Sequence, residues 1–123
     1  MIKGTGIDIV EVDRIKNAIK KSEHFKQFVF SPEEIEYCEA KANSFESFAG
    51  RFAAKEAFFK ALGTGWQENT AFNEVVVSSD PLGRPFIKLV GETEGVLERT
   101  SFKIHLSISH TKEYATAMVI IEE

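Results

Sequence analysis

Three stretches of the chain place polar side chains where apolar ones belong, and each could do chemistry. Asp8 stands between Ile7 and Ile9 in a strand-like run, where a carboxylate is disfavoured and costly if its face is covered. Its side chain either lies on the solvent face opposite Ile7 and Ile9 or serves a site. Glu56 belongs to a long helical stretch. At about 100° per residue, Phe45, Phe48, Phe52 and Phe59 define a buried face, with Glu56 about 40° from its centre and Lys55 about 60° to the other side. A carboxylate so placed is either half of a structural ion pair or a ligand for a metal or reactant. Lys60 follows Glu56 by one turn and Lys55 follows Arg51 by one turn, the spacing of ion-pair lacing on an exposed flank, and Lys55 is read that way. If Asp8 and Glu56 meet, they form a two-carboxylate site of the kind that holds Mg²⁺ through waters and substrate phosphates. The third stretch, Ser107-Ile108-Ser109-His110-Thr111, closes a strand whose Ile104, Leu106, Ile108 and His110 share a face. His110 there is by default a core residue, but at a strand end it can reach an anion. Neighbouring strand side chains point to opposite faces, so Ser109 and His110 are not a nucleophile and its base.

Other chemistries are excluded. Gly63-Thr64-Gly65 comes after a helix and Gly4-Thr5-Gly6 before a strand, and no Walker loop is present, so any phosphate must be held by side-chain cations and a metal ion. The single cysteine, Cys38, allows neither an internal disulfide nor a cysteine-cluster metal site and reads as a small hydrophobe. A net charge of −4 argues against wholesale nucleic-acid binding. The longest apolar run, Ala117 to Ile121, is too short to span a bilayer. Met1 to Thr5 opens no secretory signal, and a cytoplasmic setting is expected.

The elements that must position these residues follow from periodicity and turn chemistry. Ile2 to Val10 is strand-like, and Asp13 to Ser22 is a helix with Val12, Ile15, Ala18 and Ile19 on one stripe. Ser31-Pro32-Glu33-Glu34 is a capping box with proline at the first helical position, opening a short helix to about Lys41. The long helix runs from Phe45 to Leu62 and stops at the glycines. Asn73 to Ser79 and Pro85 to Val90 form a hairpin around Asp80 to Arg84, Glu92 to Arg99 a brief helix, and Lys103 to His110 and Tyr114 to Ile121 a second hairpin. Helices first and hairpins later predict an α+β fold, an antiparallel sheet packed against one long helix, in a single domain over 1–123.

Taken together the stretches carry more than each alone. Gly6-Ile7-Asp8-Ile9-Val10-Glu11-Val12-Asp13-Arg14-Ile15, Arg51-Phe52-Ala53-Ala54-Lys55-Glu56-Ala57 through Lys60-Ala61-Leu62-Gly63-Thr64-Gly65, the Gly83-Arg84-Pro85 turn and Ser107 to Thr111 closely resemble the holo-acyl-carrier-protein synthase family, the small bacterial 4′-phosphopantetheinyl transferases. The likeness runs nearly end to end, weakest from Lys16 to Ser44 and from Trp66 to Ser79. It implies transfer of the 4′-phosphopantetheine arm of coenzyme A to a serine of apo-acyl carrier protein in fatty acid biosynthesis, releasing adenosine 3′,5′-bisphosphate. It also implies a homotrimer with sites between subunits.

Carried over residue by residue, the resemblance makes Asp8 and Glu56 the Mg²⁺ ligands and Lys60 the contact to the pyrophosphate. Arg51 and His110 help hold the 3′-phosphate nucleotide, and Gly63, Pro85 and Thr111 belong to the same coenzyme A surface. Lys55 receives no reaction role. Acyl carrier proteins are acidic, and the first helix with its extension carries Arg14, Lys16, Lys20, Lys21 and Lys26 against Glu11, Asp13 and Glu23, five cations to three carboxylates. Arg14, Lys21 and Lys26 are the docking residues expected there, although a solvated helix face would have the same composition. Two competitors share the residues: a binding module that takes coenzyme A or carrier protein without transfer, and a metal-dependent pyrophosphohydrolase that uses water in place of serine.

Overall fold

The computed structural model describes residues 1–63, 69–97 and 101–123. Strand β1 (Ile2–Glu11) passes directly into helix α1 (Val12–Lys21), followed by α2 (Glu23–Val29), α3 (Pro32–Glu39) and α4 (Ser44–Leu62). A hairpin of β2 (Val75–Ser79) and β3 (Pro85–Leu89) comes next, then a second of β4 (Lys103–His110) and β5 (Tyr114–Glu122), with 3₁₀ turns at Phe72–Glu74 and Gly91–Leu97. The strands make two antiparallel sheets, one of order β1-β5-β4 and one of β2-β3 alone. The expected α+β class and the long helix on an antiparallel sheet are found, and β1 joins the C-terminal hairpin by pairing with β5. Among the described residues no helix is long and apolar enough to cross a membrane.

Local chemistry accounts for the boundaries. At α3 the Ser31 hydroxyl accepts from the Glu34 amide at 3.2 Å, and Glu34 Oε1 accepts from the Ser31 amide at 2.9 Å, the reciprocal box expected there. Helix α4 ends at Gly63, whose φ of 81° is the left-handed turn that glycine takes without strain; Thr64 and Gly65 lie outside the described residues, as does the expected end of the last short helix at Arg99. The β2–β3 turn is tied by Asp80 Oδ1, which accepts from the amides of Leu82 and Arg84 at 2.9 Å each. Helix α2 was not expected. Its start is signalled by Ser22, whose hydroxyl accepts from the Phe25 amide at 3.1 Å, but seven residues are too few to establish a helical period.

Helix α4 is the centre of the molecule, and the one-stripe projection is corrected. Phe48, Ala53, Ala54, Ala57, Phe58 and Phe59 are all buried, while Phe45 and Phe52 are only partly so. The helix is covered nearly all round because the three-stranded sheet lies on one side and α1, α3 and β2 on others. The strand approaches closely: a Cβ added to Gly6 would sit 1.9 Å from the Ala57 carbonyl oxygen, and one on Gly4 1.9 Å from that of Ala61. The two glycines that weaken β1 as a strand let it lie against the helix backbone.

Candidate active site

The close approach of β1 to α4 sets the direction of Asp8. Gly4, Gly6, Asp8 and Val10 alternate onto the face turned to the helix, so Asp8 is 16% exposed at its side chain while Ile7 and Ile9 are 65% and 66% exposed. The solvent-face alternative for Asp8 is therefore corrected: the isoleucines take the open face. Across the sheet Asp8 pairs with Ala117, and its carbonyl accepts from the Thr116 hydroxyl at 2.8 Å.

Glu56 faces this strand from α4. Its carboxyl is held above the ordinary carboxylate range, first by burial and then by the negative charge of Asp8, with Lys60 and Arg14 acting the other way. Lys60 does not lace to Glu56. Its ammonium donates to Asp8 Oδ1 at 3.1 Å and to the Ile7 carbonyl at 2.9 Å, while half its side chain remains in solvent. Two carboxylates and two cations thus converge from β1, α4 and the first turn of α1. Among the described residues no cluster of three or more His, Cys, Asp or Glu could hold a metal, so a divalent cation here would take protein oxygens from Asp8 and Glu56. The mutual repulsion evident at Glu56 is what such a cation would relieve, and the donor set fits Mg²⁺, which keeps water and phosphate oxygens in the rest of its shell.

Arg51, Pro85 and His110 meet elsewhere. They line a cleft of about 250 Å³ with Tyr37, Lys41, Glu46 and Ser47. Arg51 is buried, its guanidinium carbon 4.1 Å from the centroid of the Tyr37 ring. Its Nη1 donates to Ser47 Oγ at 3.4 Å, and its buried Nε has no partner among the described residues, so donors are left over for an anion. Burial alone would push the Tyr37 hydroxyl up, but a hydrogen bond with Ser79 and the charges of Arg51 and Lys41 bring it below its ordinary value. His110 is not a core residue: its side chain is 38% exposed and its Nδ1 is 3.0 Å from Glu46 Oε1. Thr111 is occupied by the β4–β5 turn, its hydroxyl accepting from the amides of Glu113 and Tyr114 at 3.2 and 3.1 Å. Gly63 lies apart from this cleft, at the end of α4 that carries Lys60.

The carboxylate cluster and the cleft are on opposite sides of one helix. Arg51 and Lys60 are nine residues apart on α4, about 13 Å along its axis and half a turn around it. Tyr37, Lys41, Glu46 and Ser47 are cleft residues that motif reasoning missed; for Ser47 the i,i+4 step to Arg51 was the available signal.

Lys55 requires the largest correction. Instead of lacing an exposed flank it is fully buried, donating to Glu34 Oε1 at 2.7 Å and to the carbonyls of Phe72 and Val75 at 2.8 and 2.6 Å. Glu34 Oε2 in turn accepts from the Val77 amide at 2.9 Å. Burial brings the Lys55 ammonium down to about 8 against the opposing pull of Glu34. The pair joins α3, α4 and the start of β2. For the docking residues, Arg14 and Lys21 are exposed on α1, whereas Lys26 is 15% exposed at its side chain and held between Glu23 and Glu39 at 3.3 and 2.9 Å.

An α+β chain in which a strand carboxylate and a helix carboxylate converge, beside a separate arginine-histidine cleft, has the layout of a small phosphoryl-group transferase. Residues 4–119 match the family model of the 4′-phosphopantetheinyl transferase superfamily, and the chain belongs to that family. It is 46% identical over 125 residues to the holo-[acyl-carrier-protein] synthase of Halothermothrix orenii, covering 100% of this chain and 99% of that protein. It is 48% identical over 126 residues to that of Clostridium tetani, covering 99% and 97%. Among solved structures, the Neisseria meningitidis holo-[acyl-carrier-protein] synthase superposes with a TM-score of 0.91 at 34% identity, covering 100% of both chains. The Bacillus anthracis enzyme, in complex with CoA (3′,5′-ADP), superposes with a TM-score of 0.82 at 36% identity over 98% and 96% of the chains.

Proposed function

We propose that this protein transfers the 4′-phosphopantetheine arm of coenzyme A to a serine of apo-acyl carrier protein, as a Mg²⁺-dependent holo-acyl-carrier-protein synthase. The convergence of Asp8 and Glu56 beside Lys60 carries this reading. In the reaction the serine oxygen forms a bond to the phosphorus bearing pantetheine, the bond from that phosphorus to the bridging oxygen breaks, and adenosine 3′,5′-bisphosphate leaves. Bound Mg²⁺ would neutralise the diphosphate and lower the cost of charge on the departing phosphate. Asp8 and Glu56 would hold it, and Lys60, already at the strand with half its side chain in solvent, would turn to the pyrophosphate. The serine proton must leave as its oxygen attacks, and Glu56, with its raised carboxyl, is one acceptor that the chain offers.

The adenosine 3′,5′-bisphosphate portion belongs in the arginine-histidine cleft, where Arg51 has donors to spare and His110 stands at the rim. A pyrophosphate cannot be shared by two clusters on opposite sides of one α4, so the cleft of one subunit serves the carboxylates of its neighbour. The open face of the three-stranded sheet supports such an assembly: Ile7 and Ile9 flank Asp8 there, with Tyr114 and Met118 also exposed on β5. That face buried against two copies makes the homotrimer. Acidic carrier protein docks on α1 through Arg14 and Lys21, with Lys26 contributing less because its charge is already met by two carboxylates. The whole of 1–123 is one catalytic domain around one core cluster, and the buried, unpaired Cys38 suits a cytoplasmic setting.

Incubation with apo-acyl carrier protein, coenzyme A and Mg²⁺ tests this directly by mass spectrometry. The carrier protein should gain one phosphopantetheine arm, and the gain should vanish on chelation. Coenzyme A cleavage without modified carrier protein would favour a hydrolase, and unmodified carrier protein with intact coenzyme A a binding module.

A further inference from the structure

Glu46 has no part in the reaction as described, and by charge alone it is out of place. It lines the cleft with Arg51, Lys41 and His110, and a carboxylate there repels any phosphate the cations attract. Its Oε1 lies 3.0 Å from His110 Nδ1. A carboxylate in such a contact accepts, so Nδ1 is the nitrogen that carries the proton and donates. The ring is thereby fixed in one orientation, and Nε2, which donates to an anion when the imidazole carries its second proton, becomes the nitrogen left for a ligand. The next residue does the same for the other cation: Ser47 Oγ accepts from Arg51 Nη1 at 3.4 Å and from the Cys38 thiol at 3.3 Å. One turn at the start of α4 therefore orients both cations, one through each of two consecutive side chains.

We infer that Glu46 is the positioning residue for His110, holding the imidazole so that Nε2 meets the anionic end of the nucleotide, an orienting effect that outweighs its repulsion of phosphate. This rests on the cleft being the seat of the 3′-phosphate nucleotide. Glu46 touches no reacting atom, so its removal should act on binding and leave the chemical step alone.

Steady-state kinetics with the trimeric enzyme and apo-acyl carrier protein, using coenzyme A and 3′-dephospho-coenzyme A, separates the possibilities. Glu46→Ala should raise KM for coenzyme A about tenfold, the loss expected of a charge-assisted hydrogen bond, with kcat nearly unchanged and KM for the dephosphorylated substrate moved much less. Glu46→Gln, whose amide oxygen still accepts from Nδ1 but without the charge, should fall between Glu46→Ala and wild type. In a His110→Ala background Glu46→Ala should raise KM no further, and with only its repulsion of phosphate left to lose KM should hold or fall. A KM that is unchanged or lower in Glu46→Ala overturns the inference, as does a rise in KM that persists without His110. Nitrogen NMR of His110 in the wild-type enzyme provides a second test that no unstable variant can obscure: a proton at Nδ1 is required, and a bare Nδ1 with protonated Nε2 overturns the inference. His110→Ala with an unaltered KM for coenzyme A would remove the nucleotide from this cleft, while the NMR result still decides the pairing.

Discussion

At Glu56, the proposed role as a metal ligand and stability pull in opposite directions. Its carboxyl is raised by burial and by Asp8, so the folded protein holds that proton more tightly than the unfolded chain does. The stability this group contributes is fully present below the ordinary carboxylate range and is lost as pH rises through the elevated folded value. Glu56→Gln removes the ionised form. It should abolish transfer, and in metal-free buffer near pH 7 it should melt above wild type, the difference closing as pH falls below about 4. Melting curves across pH check the sign. Added Mg²⁺ should raise the wild-type melting temperature and leave that of Glu56→Gln nearly unmoved, because only a bound cation stabilises by mass action. Both carboxylates were legible in the sequence as charges intruding on apolar patterns. Their meeting was not, because Asp8 could face either way until the helix claimed one side of β1. Lys55 was misread for a related reason: its partner Glu34 lies 21 residues away in an unrelated helix, and i,i+4 neighbours were the only partners visible in the chain.

Among the elements, the contact of β1 with α4 decides whether the carboxylates meet. A methyl at Gly6 would overlap the Ala57 carbonyl, so Gly6→Ala must push strand and helix apart. Overpacking of this kind costs about 1–3 kcal/mol, and the same displacement moves Asp8 from Glu56. Urea unfolding should show the loss, and activity should fall further than the folded fraction does. Breaking the buried pair acts on another side of the helix. Lys55→Met leaves Glu34 charged and buried, which should cost about 3–5 kcal/mol, and Lys55→Met with Glu34→Gln should cost less than the two changes summed. Chemical denaturation of the three variants measures the coupling. Most elements could be read from caps and turns, the Ser31 box and the Gly63 stop above all. Helix α2 could not, because it is too short to show a period, and α4 was assigned one buried stripe because an amphipathic projection does not foresee a helix covered on nearly every side.

Across the whole molecule, the open sheet face and the divided site make one prediction. Ile9→Asp places a charge at the middle of the face proposed to join subunits, so sedimentation should show monomers, and transfer should fall with assembly although each protomer keeps its carboxylates and its cleft. Activity that survives in a monomer would place the whole site within one chain. Assembly could be expected from the family resemblance, but the surface that performs it could not, since alternation in β1 makes Ile7 and Ile9 look like core. The Lys55–Glu34 pair has a consequence for how the molecule comes together. Its hydrogen bonds gather Ser31 to Glu34, Lys55 and the stretch from Phe72 to Val77, so the lock cannot close until three distant segments have found one another. A contact that needs three distant segments in place is expected to form after the rate-limiting barrier. In stopped-flow experiments Lys55→Met should therefore accelerate unfolding while refolding keeps nearly its original pace, which makes this pair a latch on the native state's lifetime.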